Sequence, residues 1–190
     1  VTINASYKAE GPEYAADLKF NRFAVSFQEY TCLQFVLRNK DVSAYTDIYA
    51  ELTYHAPDGT ETTTTIYPEA IATYKFFNIE VLSWSMPDNY TCTLYGKKDG
   101  VLYVGESKTT SVMEQAIEKI ASADALTKTA FVDLLNYGAA VQIDFEHNVE
   151  NLPNETLEEL GYAQYGTSAV PAITSSNSSV GTGIFVKNRE

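Results

Sequence analysis

Apolar and polar residues alternate along the N-terminal half of the chain, which is the pattern of half-buried β-strands. The alternation is clearest in residues 18–27 (LKFNRFAVSF), 31–38 (TCLQFVLR) and 47–55 (DIYAELTYH). The segment Ala56-Pro57-Asp58-Gly59 predicts a turn, because proline presets φ and glycine allows a positive φ. The threonine-rich run over residues 60–67 follows directly, so the sequence predicts a β-hairpin here.

Further strand-like segments extend this β-rich part of the chain. They cover residues 73–82 and 89–96, and a Lys98-Asp99-Gly100 turn leads into another strand over residues 101–106. About seven short strands with regularly spaced turn signals are typical of two packed antiparallel sheets. The sequence therefore predicts an antiparallel β-sandwich over about residues 1–108.

The spacing of the apolar residues then changes from two to about 3.6, which predicts α-helices. Residues 111–114 form a capping box, with serine at the N-cap and glutamate three residues later. Asp124 is expected to cap a longer helix that includes residues 134–142, and Asn154 a short helix that ends at Leu160. We therefore expect a cluster of about three α-helices over about residues 109–165.

These patterns predict a mostly β fold with an α-helical appendix, in which residues 1–165 form one unit. The helices should pack on the sandwich, because the apolar stripe of the long helix needs a partner. Residues 166–183 are rich in Ser, Thr and Gly, as flexible linkers are. Residues 184–190 contain a strand-like segment, which either returns to an edge of the sandwich or begins a further module.

The formal net charge of -12 limits the classes of partner. Such a charge argues against binding to nucleic acid and to anionic membrane surfaces, both of which carry negative charge. No apolar run approaches the roughly 18 residues of a membrane-spanning helix, so we expect no membrane insertion. The excess of acidic residues is concentrated in residues 111–160, whose only basic residues are Lys119 and Lys128.

No motif for catalysis, a metal or a cofactor is present in the sequence. The two histidines, His55 and His147, lie near no GxSxG or HExxH pattern, and no CxxC or paired-histidine spacing suggests a zinc site. We therefore expect a protein that is not an enzyme and that has no catalytic residue, no metal and no cofactor.

The two cysteines, Cys32 and Cys92, both lie in strand-like sequence, so a disulfide across the sandwich is one alternative. The side-chain alternation argues for the other alternative, two separate thiols. Cys92 shares a face with Leu94, whereas Cys32 lies opposite the apolar face that contains Leu33 and Phe35. Geometry rather than cysteine count decides between the two.

The segment Asp88-Asn89-Tyr90-Thr91-Cys92 is similar to an immunoglobulin strand in which tyrosine precedes the second cysteine by two residues. The tryptophan expected shortly after the first cysteine is missing, and the single tryptophan, Trp84, precedes Cys92 instead. The pattern is thus Ig-like and favours a sandwich, but not a true antibody-type domain.

Trp84 is the residue that most resembles part of a ligand-binding site. An indole in a loop beside Asp88 and Asn89 combines an apolar face with hydrogen-bonding groups, which suits a sugar ring. The alternative is that Trp84 fills the seam between sandwich and helices. Tyr162 and Tyr165 follow the last expected helix and either close the same groove or pack against the terminal turn.

Three stretches carry a resemblance to a known module. They are residues 23–35, residues 134–142 (LLNYGAAVQ) and residues 148–154 (NVENLPN), of which the second is the most specific. Over roughly residues 18–165 the chain resembles a module of secreted and surface proteins of anaerobic gut bacteria. A sandwich followed by helices is also similar to the first domain of an amylosome starch adherence protein.

This resemblance implies a non-catalytic carbohydrate-binding module, for α-glucan such as starch, in an extracellular or cell-surface protein. The implied partners are a polysaccharide or oligosaccharide, held between sandwich and helices, and neighbouring modules of a larger surface protein. The main alternative is a structural or adhesion spacer without a sugar ligand, and a third, less favoured one is an acidic glycoside hydrolase. An aromatic-lined groove at the seam would favour the carbohydrate-binding module. The resemblance supplies no matching sugar contacts, so the candidate ligand-binding residues come from the local sequence: Trp84, Asp88, Asn89, Tyr162 and Tyr165.

Overall fold

A computed structural model of the chain describes residues 11–27 and 30–153. This part of the chain is mostly β, with two α-helices after the last strand. The strands are β1 (Glu13–Tyr14), β2 (Arg22–Phe27), β3 (Thr31–Arg38), β4 (Thr46–His55), β5 (Glu61–Ile66), β6 (Glu69–Ile71), β7 (Tyr74–Glu80), β8 (Asn89–Lys98) and β9 (Val101–Thr110). The helices are α1 (Val112–Ser122) and α2 (Ala125–Asp144), with short 3-10 helices at Ser83–Ser85 and Val149–Asn151.

The strands form two sheets. The five-stranded sheet has the order β1-β9-β8-β4-β5, and the four-stranded sheet has the order β2-β3-β7-β6. All strand pairs are antiparallel except the short pair of β1 with β9, in which Glu13 lies beside Tyr103 and Tyr14 beside Val104. The expected antiparallel arrangement therefore needs a correction at this one edge.

Gly105 explains how the N-terminal segment lies so close to β9. The backbone N–H of Glu106 donates to the carbonyl of Leu18 at 2.8 Å, and that of Ala15 donates to the carbonyl of Val104 at 2.8 Å. A Cβ at position 105 would lie 2.2 Å from the Leu18 oxygen, so a side chain does not fit. The missing side chain lets the segment run along β9 in the parallel direction.

The two sheets contribute to one apolar core, in a sandwich-like arrangement. Inward-facing side chains of β3 and β7 meet those of β4 and β8. Buried residues alternate along β4, β7 and β8, whereas β3 buries Phe35, Val36 and Leu37 in succession. The buried core residues from these four strands include Leu33, Phe35, Leu37, Phe77, Ile79, Ala50, Leu52, Cys92 and Leu94.

Both hairpins expected from the turn residues are confirmed. β4 pairs with β5 around a turn in which Gly59 has a φ of 83°, and β8 pairs with β9. In the second turn Asp99 and Gly100 have φ values of 53° and 80°, the two consecutive positive values that a tight hairpin turn requires.

The expected caps of α1 and α2 are also confirmed. The Ser111 hydroxyl oxygen accepts from the backbone N–H of Glu114 at 3.0 Å and so begins α1. Asp124 accepts from the backbone N–H groups of Leu126 and Thr127 at 3.0 and 3.1 Å and so begins α2.

The described residues contain fewer helices than the sequence predicts for the chain. Residues 11–27 and 30–153 contain two α-helices rather than about three, and the third expected helix, Asn154 to Leu160, lies outside the described residues. The expected linker over 166–183 and the strand-like segment over 184–190 lie outside them as well. Neither α1 nor α2 is long and apolar enough to cross a membrane.

The helices bury a small apolar cluster of their own. It consists of Ala116 and Ile120 from α1 with Phe131, Val132 and Leu135 from α2, and Val25 of β2 packs against it. Apolar side chains from both helices therefore pack against one strand of the four-stranded sheet.

Gly138 in the Leu134–Gln142 stretch allows a second close approach. A Cβ at this position would lie 2.8 Å from Met86 Sδ and 3.4 Å from the carbonyl oxygen of Ser83. The small residue thus lets α2 pack directly on the Ser83–Ser85 helix.

Of the two alternatives for the cysteines, the structure has the second, since Cys32 and Cys92 are free thiols. Cys92 faces the core and is fully buried, whereas Cys32 lies on the opposite face of β3 from the buried Leu33. Burial raises the pKa of the Cys92 thiol to about 12. Side-chain alternation on the two sheets therefore directs the two sulfur atoms apart.

Candidate ligand-binding cleft

A cleft of about 780 Å³ lies where the β part meets the segments around the helices. Its volume is within the range of typical small-molecule sites, roughly 300–1,000 Å³. Four segments form it: the turn after β4, the start of β8, the start of α1 and the turn after α2. The lining residues are His55, Ala56, Pro57, Asp58, Pro87, Asp88, Asn89, Ser111, Met113, Glu114, Asn148, Val149, Glu150 and Asn151.

Asp88 lies at the centre of a hydrogen-bond network at the base of this cleft. Its Oδ1 accepts from Asn148 Nδ2 at 2.7 Å, and its Oδ2 accepts from the Tyr54 hydroxyl at 2.7 Å. His147 Nε2 lies 2.8 Å from Oδ2, a hydrogen bond in which the Nε2–H tautomer of the imidazole donates to the carboxylate oxygen. We call Tyr54, Asp88, His147 and Asn148 the Asp88 network.

The Asp88 side chain has no exposed surface, so its charge depends on these three donors. A buried carboxylate without partners would be strongly unfavourable. The network joins β4, the start of β8 and the turn after α2, which are far apart in the sequence. It therefore holds the turn after α2 in place against the five-stranded sheet.

The turn after α2 has a backbone that few residues adopt. Glu146 and Asn148 have φ values of 51° and 50°, and asparagine tolerates this left-handed region better than most residues. The buried Gln142 side chain donates to the carbonyls of Asn148 and Asn151 at 3.1 and 3.4 Å. The backbone carbonyl of Gln142 accepts from the backbone N–H of His147 at 3.0 Å. Gln142 thereby presents the turn residues to the cleft.

The tyrosines beside Asp88 remain protonated at neutral pH. Burial, followed by the hydrogen bond to Asp88, raises the pKa of Tyr54 to about 12. The pKa of Tyr90 is also raised, by burial first and then by the charges of Tyr54 and Asp88. The two rings pack 5.2 Å apart. Tyr54 is therefore a constant hydrogen-bond donor to Asp88.

His55 stands at the rim of the cleft in a row of polar side chains. Its Nδ1 lies 3.0 Å from Glu61 Oε1, and its Nε2 lies 2.7 Å from the Thr91 hydroxyl. The Thr91 hydroxyl is in turn 2.7 Å from that of Thr109. Both ring nitrogens have partners, so the row fixes the orientation of the imidazole on the outer face of the sheet.

The accessible surface of the cleft combines polar edges with small apolar patches. Its lining contains carboxylates and amides but no Lys or Arg. A negatively charged ligand would meet repulsion there, whereas a neutral ligand with many hydroxyl groups would find donors and acceptors. The exposed polar residues are Asp58, Asn89, Glu114, Glu150 and Asn151, and the apolar patches come from Pro57, Met113 and Val149.

No metal-binding cluster accompanies these carboxylates. Within residues 11–27 and 30–153, no three His, Cys, Asp or Glu side chains are placed to hold a metal ion.

The structure brings two of the five candidate ligand-binding residues into the cleft, Asp88 and Asn89. Trp84 does not line it, and instead stacks on Phe145 with ring centroids 4.6 Å apart and an angle of 25°. One face of the indole is thus covered at the contact with the end of α2, so sugar stacking by Trp84 stays a prediction. Tyr162 and Tyr165 lie outside the described residues.

Several cleft residues were not predicted as site residues, although the sequence contained a signal for them. Asp58 belongs to the predicted turn, Glu114 to the capping box, and Asn148, Glu150 and Asn151 to the NVENLPN stretch. Each was assigned a local structural role or none, because sequence alone does not show that the segments meet. The cleft is mainly polar, so the expected aromatic-lined groove is not seen among the described residues.

No family model, no curated protein and no solved structure matches this chain. The resemblance to surface modules of gut bacteria and to the amylosome domain therefore stays a prediction from the sequence.

Proposed function

We propose that this chain is a non-catalytic carbohydrate-binding module of a secreted or cell-surface protein, and that the cleft holds a neutral oligosaccharide. The observation that carries this proposal is the composition of the cleft, with amides and carboxylates around small apolar patches and neither Lys nor Arg in its lining. The choice of α-glucan as the first ligand to test comes from the sequence resemblance.

The chemistry of a sugar ring supports this choice of ligand class. Hydroxyl groups project from the ring edge, where Asn89, Asn151 and Glu150 offer donors and acceptors. The C–H groups of the ring faces suit apolar surfaces such as Pro57 and Val149. A uronic acid would place a second negative charge among the carboxylates, so neutral glycans are favoured over acidic ones.

Asp88 has a supporting role in this proposal rather than a direct one. Both of its oxygens already accept hydrogen bonds from protein donors. Its neighbour Asn89 is exposed and is the better candidate for a sugar hydroxyl. The Asp88 network then positions Asn148 and the turn that includes Asn151.

Titration calorimetry with malto-oligosaccharides, together with affinity electrophoresis in soluble starch, β-glucan and xylan, tests the proposal. We expect Asn89→Ala and Asn151→Ala each to weaken binding about 2- to 10-fold, the value of one net hydrogen bond. Asn21→Ala is the matched control, because Asn21 is exposed and does not line the cleft. Folded protein that gives no heat and no retardation with any of these neutral glycans would overturn the proposal.

A structural or adhesion spacer is the second candidate function. The observation in its favour is that the two most conspicuous candidate residues make internal contacts, Asp88 with its three donors and Trp84 with Phe145. On this reading Trp84→Ala lowers the free energy of unfolding by about 3–5 kcal/mol, as large aromatic truncations do. It would change no glycan affinity, since none exists.

A further inference from the structure

The strand β5 is the last strand on one side of the five-stranded sheet, as far as the described residues show. It pairs with β4 on one side, and no described strand pairs with its other side. Five of its six residues are exposed, and the four in its middle, Thr62 to Thr65, are uncharged and strongly β-favouring. Its register with β4 runs without a bulge from Ala50 opposite Ile66 to His55 opposite Glu61. The edge is therefore regular and free of charge in its centre.

Proteins usually protect such edges with charges, proline, bulges, short strands or a covering element. The other described edges follow this rule. β1 has two residues and β6 has three, which are too short to pair with another chain. β2 begins with Arg22 and is contacted by α1. Among the described edges, only β5 is long, regular and unprotected.

We propose that β5 pairs antiparallel with β5 of a second copy of this chain, which joins the two five-stranded sheets into one. The pairing is isologous, so both copies use the same six residues around a two-fold axis perpendicular to the sheet. The inference is independent of the proposed sugar ligand.

The side-chain pattern of β5 selects the position of the axis. In an antiparallel pair, two directly opposite residues have their side chains on the same side of the sheet. Because side chains alternate along the strand, the two-fold axis must pass through a residue and not through a peptide bond. An axis at Thr63 sets Thr62 opposite Thr64 of the second copy and Glu61 opposite its Thr65. An axis at Thr64 would instead set Thr62 opposite the half-buried, apolar Ile66.

The axis at Thr63 also avoids unfavourable charges. No two Glu61 carboxylates meet, and each remains beside His55 of its own chain at 3.0 Å. Rungs of paired hydroxyl residues are already present in this sheet, as Thr53 and Thr63 lie 2.9 Å apart. The new strand pair would therefore repeat a contact that the sheet already contains.

The net charge of the chain opposes this association and makes it sensitive to salt. Each copy carries a formal charge of -12, so the two copies repel each other over long distances. Salt screens this repulsion but leaves the backbone hydrogen bonds of the strand pair intact. We therefore expect a dimer that becomes stronger as the salt concentration rises from low to physiological values.

Analytical ultracentrifugation of the full chain, over a range from micromolar to millimolar protein, tests the association. We expect a monomer–dimer equilibrium in the wild type and a monomer at every concentration for Thr63→Lys, which sets two like charges face to face on the axis. Thr93→Lys is the matched control, since Thr93 lies on the same outer face but on the central strand β8. A wild type that stays monomeric up to millimolar concentration would overturn the proposal.

A cysteine on the axis tests the register. Facing Cα atoms of an antiparallel pair are about 4.5–5.5 Å apart, within the range that a disulfide spans. In a Cys32→Ser background, Thr63→Cys should give a covalent dimer under mild oxidation much faster than Thr93→Cys. Equal cross-linking of the two variants, or a dimer that Thr63→Cys fails to trap, would show that β5 is not the interface. Circular dichroism confirms that each variant is folded.

Discussion

Two of the contacts between the β part of this protein and its helical part form joints of opposite chemistry. The apolar joint consists of the α1–α2 cluster with Val25 of β2, and Leu135 and Ile120 in it have no exposed surface. The polar joint is the Asp88 network, in which one buried carboxylate accepts from three donors. The apolar joint holds α1 and the middle of α2 against the sheet, and the polar joint holds the turn after α2.

The two joints differ in what they contribute, since one mainly stabilises the helices and the other mainly fixes the orientation of residues. Burial of apolar area depends little on direction, so the apolar joint stabilises the helices without defining a precise orientation. Hydrogen bonds to a carboxylate are directional, and the loss of the carboxylate leaves its donors unpaired. The polar joint therefore determines where Asn148 and the other turn residues stand in the cleft.

The largest effect should come from the apolar joint. Leu135→Ala removes a fully buried side chain and leaves a cavity, so we expect it to lower the free energy of unfolding by about 3–5 kcal/mol. Leu126→Ala is the matched control on the same helix, because Leu126 is 81% exposed. Urea denaturation followed by circular dichroism measures both. Similar losses for the two variants would mean that the α1–α2 cluster does not hold the helices.

In the polar joint, substitution of Asp88 should lower the free energy of unfolding by nearly as much. Asp88→Ala leaves the donors of Tyr54 and Asn148 without an acceptor, and we expect it to cost about 2–3 kcal/mol of unfolding free energy. Asp133→Ala removes an exposed carboxylate of α2 and is the control. In addition, Asp88→Ala should shift the amide resonances of residues 147–151, which a merely destabilised protein would keep. Unchanged resonances there would show that the Asp88 network does not determine the shape of the cleft.

Alkaline pH should weaken the polar joint through Tyr54. The pKa of Tyr54 is raised from 10.0 to about 12, mainly by burial and then by Asp88, so the unfolded chain loses this proton at a lower pH than the folded one. Its contribution to stability is intact below about pH 10 and is lost as the pH rises through about 12.

Tyr54→Phe should remove this part of the pH dependence and cost about 1–2 kcal/mol at neutral pH. Denaturation between pH 8 and 12 measures the first effect, with Tyr95→Phe as control. Tyr95 also has a pKa raised to about 12, by burial and then by its hydrogen bond to Glu51, but lies outside the joint. Only Tyr54→Phe should shift the ring resonances of His147. A shift of equal size in both variants would contradict the network.

The smallest effect concerns the contact of α2 with the Ser83–Ser85 helix. Gly138→Ala places a Cβ 2.8 Å from Met86 Sδ, the flexible part of a buried side chain. The resulting strain exceeds the gain in helix propensity only slightly, so we expect a loss of about 1 kcal/mol. In a Met86→Ala background the same change should be neutral or stabilising. A thermodynamic double-mutant cycle measures this coupling, and additive effects would show that Met86 is not the obstacle.

Features that rest on neighbouring residues were predictable from the sequence. The two hairpins follow from their turn residues, and the starts of α1 and α2 follow from Ser111 and Asp124, because a turn or a cap is formed within a few residues. Side-chain alternation likewise indicated that Cys92 points into the core and Cys32 away from it. The parallel pair of β1 with β9 was not predictable, since it depends on the fit of Leu18 over Gly105.

The sequence by itself determined a β-rich body followed by helices, an acidic surface and the two residues Asp88 and Asn89 as part of a candidate site. Only the tertiary structure decided that Asp88 is a buried acceptor, because its donors Tyr54, His147 and Asn148 lie 34, 59 and 60 positions away. It also placed Trp84 against Phe145 rather than in the cleft. Local patterns record which face of an element is apolar, whereas a cleft depends on which elements meet, and that is settled by packing over the whole chain.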